Sequence, residues 1–97
     1  MQPTTVSVHL IAASDLVHAT ARATVRAIPC PRDTLAHIDA AQSFMIAAGA
    51  LYDAAEWIAA GKSIEGAEMK LALWLADAKV VEGRGRIAGT WNEYPLS

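Results

Sequence analysis

The side chains from which chemistry could be assembled in this 97-residue chain are three histidines, ten carboxylates and one cysteine. None stands at the spacing a reaction centre requires. His9, His18 and His37 are isolated from one another, so no two sit one turn apart on a helix face as paired metal ligands do. His37 and Asp39 are near neighbours whose side chains project in different directions. Two carboxylates do acid–base work only where burial or like charge separates their pKa values. Asp53 and Glu56 lie three apart on one predicted helix, on the side its pattern marks as wet. No glycine-rich loop follows a strand to cradle a phosphate, Gly83-Arg84-Gly85 being too short, and no serine elbow is present. Cys30, alone between Pro29 and Pro31, forms no intramolecular disulfide or thiolate cluster and reads as a packing residue. Trp57, Trp74 and Trp91 do not alternate with basic residues as base-stacking platforms do. The expectation is no catalytic residue, no cofactor and no metal.

The elements that would position any site are helices. Apolar residues make up 54% of the chain and charged residues 19%, which argues against disorder and for one small domain spanning residues 1–97. The net charge of −2 offers no attraction to nucleic acid or to an anionic membrane. No uncharged apolar run reaches the roughly 18–20 residues of a membrane span, and the start of the chain lacks the basic residues of a signal peptide. A cytoplasmic location is the default reading.

Val6, Val8 and Leu10 alternate with Ser7 and His9, which predicts an extended segment or short strand within residues 1–13, with a helix start as the alternative. Ser14 and Asp15 then suit the start of a helix over about 15–28, closed by Pro29 and Pro31. Asp33 caps a second helix over about 34–60, stopped by Gly61 with Lys62 beside it. Ala47, Ala48, Gly49 and Ala50 form a belt of small residues on which another helix can approach closely. Ser63 caps a third helix over about 64–82, which Gly83 and Gly85 fray. This last helix is apolar around much of its circumference, which predicts a central or shared position with Trp74 in the core. The fold expected is all-α, a small bundle of three main helices with two long antiparallel ones.

One stretch has a family likeness. Tyr52-Asp-Ala-Ala-Glu-Trp-Ile-Ala-Ala-Gly61-Lys62, then Met69-Lys70, Arg86-Ile-Ala-Gly89 and Glu93-Tyr94-Pro95 resemble the C-terminal helical domain of acyl-CoA dehydrogenases. The likeness covers residues about 42–96. It implies a closing all-α domain whose last helix end touches the flavin of a neighbouring subunit. Arg86 stands where that family usually has glutamine, the family's glycine pair is reduced to Gly89-Thr90, and Glu82 does not occupy the place of the catalytic glutamate.

The function expected is a non-catalytic interaction module that binds a protein partner or its own copy as a homodimer. Trp57, Met69, Leu73, Val80, Arg84, Arg86 and Trp91 are its candidate contact residues. Arg84 and Arg86 read first as solvated charges and second as a local anion or partner contact. Inhibitors carried by phages and mobile elements share this motif-free character, so an inhibitor or accessory subunit is the role expected. The alternative is a detached relative of the dehydrogenases that completes a flavin site in a larger assembly.

Overall fold

The computed structural model describes residues 3–27, 34–63 and 65–89. They form three helices, α1 (Pro3–Arg26), α2 (Thr34–Ala59) and α3 (Ala67–Ala88), in an all-α bundle without strands among the described residues. Helix α2 is the middle element. Helices α1 and α3 each pack along it and scarcely approach each other. The molecule is accordingly flattened, measuring 46 × 32 × 16 Å.

The strand expected near the start is instead the first half of α1. Proline is accepted in a first turn because its missing N–H has no helical partner there. Val6 and Leu10, which suggested alternation, are also four apart and so share a helix face. Both pack against Ala54, Ile58 and Met69, while Val8 between them is exposed. Ser14 is therefore no N-cap. It sits in mid-helix and its hydroxyl donates to the Ala48 carbonyl at 2.7 Å.

That bond belongs to a repeating seam. Ser7 donates to the Ala55 carbonyl at 3.0 Å, seven residues before Ser14 meets Ala48, and buried Ala21 and Ala41 continue the spacing. A seven-residue repeat keeps one face of each helix toward its neighbour. Small residues at every rung let the antiparallel backbones come close enough for a serine hydroxyl to reach the opposite carbonyl.

The seam between α2 and α3 also runs antiparallel. Its rungs join Ser43 to Glu82 and Phe44 to Gly83, while Met69 at the far end shares a cluster with Ile58. Among the described residues Phe44, Ile58 and Met69 are the large buried apolar side chains, and the rest of the core is alanine. Trp74, expected in the core, is 65% exposed, and Leu71 is 64% exposed. Helix α3 lies at an edge of the molecule rather than at its centre, so most of its apolar circumference meets no other helix.

The helix ends differ from expectation in instructive ways. Gly61 closes α2 with φ 83°, its N–H donating to Ile58 and that of Lys62 to Trp57, the paired bonds of a left-handed glycine cap. Ser63 does not cap α3: its hydroxyl accepts from the Glu65 N–H in a local turn, and the N-cap is Gly66. Helix α3 also continues through Gly83 instead of fraying there. It ends at Gly89, whose φ of 76° is again left-handed. Gly83 is buried against the Phe44 ring, which a Cβ at that point would meet at 2.7 Å.

Candidate interaction face

Helix α2 is covered on only part of its circumference. Six of its buried positions fall on two heptad lines, Ala41-Ala48-Ala55 toward α1 and Ala40-Ala47-Ala54 beside them, and Ser43, Phe44, Ala50 and Ile58 complete the covered side. A third line, Ile38-Met45-Tyr52, is exposed, with Met45 at 53%. On α1, Ile11, His18 and Val25 repeat at the same seven-residue interval and are exposed as well. Extending the antiparallel register of the serine seam sets Val25 beside Ile38, His18 beside Met45 and Ile11 beside Tyr52.

Two grooves flank α2 on this side. One, of about 360 Å³, runs between α1 and α2 and is bounded by Ser14, His18, Met45, Gly49 and Tyr52. The other, of about 380 Å³, lies between α2 and α3 and is bounded by Ile46, Gly49, Asp53, Leu71 and Leu75. Gly49 lines both. It is exposed, and a Cβ added there would meet nothing within 4 Å. The centre of the face is thus a ridge of bare backbone between a mixed groove, whose lining includes Asp15 and Asp53, and a mainly apolar one.

The other concentration of polar side chains is a closed charge network. Lys79 donates to Glu82 Oε2 at 2.9 Å, Arg86 donates through Nε and an NH₂ group to Oε1, and Ser43 Oγ donates to Oε1 at 3.0 Å. Asp39 stands 3.6 Å from Arg86. Burial pushes the Glu82 carboxyl up, but the hydrogen bonds from Lys79, Arg86 and Ser43 outweigh it and hold the group below its ordinary value. An anion so fully engaged is suited to joining α3 to α2 rather than to transferring protons. Among the described residues no three His, Cys, Asp or Glu side chains group to hold a metal ion.

The contact residues expected from sequence scatter. Met69 is buried in the cluster with Ile58, and half-buried Val80 packs against the cluster around Phe44, so neither offers a contact surface. Arg86, expected to be a solvated charge, is largely buried in the Glu82 network. Arg84 and Leu73 are exposed on α3, and Trp57 is 37% exposed with the Lys62 ammonium 5.5 Å from its ring centre. Trp91, like Cys30 and Glu93-Tyr94-Pro95, lies outside the described residues. Sequence reasoning missed Met45, Gly49 and Tyr52 as surface, because Met45 and Tyr52 read as one continuous apolar stripe with the core. The signal that separates them is the heptad phase: 41-48-55 carries only alanine, and 38-45-52 carries the large side chains.

Comparison with protein-family models, curated proteins and solved structures finds no match, and none links the chain to acyl-CoA dehydrogenases. Among the described residues no helix is long and apolar enough to cross a membrane.

Proposed function

We propose that this chain is a helical protein–protein interaction module that binds a protein partner through the uncovered face of α2, as an inhibitor or accessory subunit does. The observation that carries this reading is the exposed line Ile38-Met45-Tyr52 on α2, with exposed Ile11 and Val25 on the neighbouring α1. Large apolar side chains gathered on one face, rather than scattered singly, mark contact sites. The residue types fit as well, since Met and Tyr are enriched where proteins meet.

The flavin-completing alternative rests on the likeness over residues about 42–96. The commitment of Arg86 to Glu82 and Asp39 weighs against it, because that side chain is not directed to a ligand.

The test is affinity purification with the wild-type chain beside Met45→Glu and Tyr52→Glu variants. Both side chains point outward, so helicity and melting should stay at wild-type level. A partner retained by the wild type and lost by both variants is the expected result. Identical sets of captured proteins would overturn the assignment of this face.

A further inference from the structure

The partner of this face can be named by its chemistry, on the footing that the face is an interaction surface at all. We infer that it binds a second copy of the same chain, the two α2 helices crossing antiparallel at Gly49.

The first argument is charge. Among the described residues, exposed Arg22, Arg26 and Arg84 stand at one end of the molecule, and the carboxylates described there, Asp39 and Glu82, are already taken by Arg86 and Lys79. At the other end the described residues include exposed Asp53, Glu56, Glu65 and Glu68 and, of the basic ones, Lys62 and Lys70. The polarity reaches the face itself, since Arg22 and Arg26 line a further pocket between α1 and α2 at one end, while Asp53 lines both grooves and Glu68 the α2–α3 groove toward the other. A two-fold axis that sets two copies antiparallel lays each basic end over the other's acidic end. A parallel arrangement would stack like on like. A two-fold contact is self-complementary by construction, so this single polarity satisfies both halves at once.

Gly49 supplies the second argument, which is independent of charge. Glycine weakens a helix interior, and none of the described residues requires one here, because a Cβ would meet nothing within 4 Å. Sited midway between the charged ends, where both grooves meet, the bare backbone allows another helix to approach closely. The available area is the third. The molecule's extents of 46 × 32 × 16 Å leave room for the about 800 Å² per partner that a stable interface covers.

Sedimentation velocity on the purified chain from roughly 1 to 100 μM should show a monomer–dimer equilibrium. Met45→Glu should be monomeric throughout. Gly49→Ala should raise the dissociation constant at least about tenfold while making the diluted chain melt higher. The Arg22→Glu/Arg26→Glu double variant should not self-associate, yet should form a heterodimer with the Asp53→Lys/Glu56→Lys variant. A wild-type chain monomeric at the highest concentration overturns the inference, as does a dimer indifferent to both Met45→Glu and Gly49→Ala. If that monomer still captures another protein in a Met45-dependent way, self-association alone has failed. If it captures nothing, the interaction reading has failed with it.

Discussion

The Phe44 ring lies on the bare backbone of Gly83, so close that a Cβ on that residue would stand 2.7 Å from the nearest ring carbon. A glycine that weakens α3 in isolation is thereby the condition for the largest side chain of the α2–α3 seam to be buried.

Alanine at Gly83 should therefore destabilise the protein, although it favours the helix. Overpacking costs about 1–3 kcal/mol, against about 1 kcal/mol gained in helix propensity. The same change at Gly49, where a Cβ meets nothing, should stabilise the diluted chain by about 0.5–1 kcal/mol. Urea denaturation of the two variants should give shifts of opposite sign. Adding Phe44→Leu to Gly83→Ala should cost less than the two changes summed, because the smaller side chain vacates the contested space.

Ser14→Ala should cost about 1 kcal/mol, the usual net value of one hydrogen bond, since it removes the 2.7 Å bond to Ala48. Ser14→Leu should cost more by wedging the helices apart. Equal midpoints in urea for the alanine variant and the wild type would show that the seam is held by packing alone.

Glu82 ties stability to acid. Its carboxyl in the folded protein sits below its ordinary value. The stabilisation is thus fully present above the unfolded pKa and is lost as pH falls through the folded one. Glu82→Gln should lower stability near neutral pH by about 1 kcal/mol, as expected for a partly solvated ion pair. It should also flatten the acid limb of a stability–pH profile. A variant whose profile keeps the wild-type slope below about pH 5 would contradict this account.

Trp74→Ala should change stability by less than about 0.5 kcal/mol, the range of surface substitutions, because the side chain is mostly exposed. Trp74→Phe should remove a red-shifted component of the fluorescence. A blue-shifted component lost instead would mean that the indole is covered in solution.

Particular residues show how much of this was legible in the sequence. The close of α2 was readable because a glycine cap is a local device: Gly61 satisfies the last carbonyls of its own helix, whereas Asp33, the expected cap at its start, lies outside the described residues. The start of α1 was not, because Val6 and Leu10 fit a period of two and a separation of four equally well, and tertiary contact with Ile58 decides between them. The exposure of Trp74 was misread for a related reason. Apolar character says that a helix seeks cover, whereas the arrangement of the other helices decides which of its faces receives it. The continuation of α3 through Gly83 was hidden in a residue 39 positions away, Ser43's neighbour Phe44, whose ring needs the space. Within the candidate face, Met45 and Tyr52 could be told from core only by the phase of the alanine repeat beside them.

The two seams along α2 differ in how many alignments they accept. On the α1 side the rungs Ser7–Ala55, Ser14–Ala48 and Ala21–Ala41 are nearly interchangeable. Sliding α1 by one heptad would still set small residues against small residues, with Ser14 then opposite Ala55. Phe44 finds its glycine on α3 at one offset only. Helices α2 and α3 should therefore find their alignment uniquely, while α1 can close one tooth out of place before settling. Mispaired α1 is the error this chain is most exposed to as it folds, and a slow folding phase sensitive to Ser7 and Ser14 but not to Phe44 would be its signature.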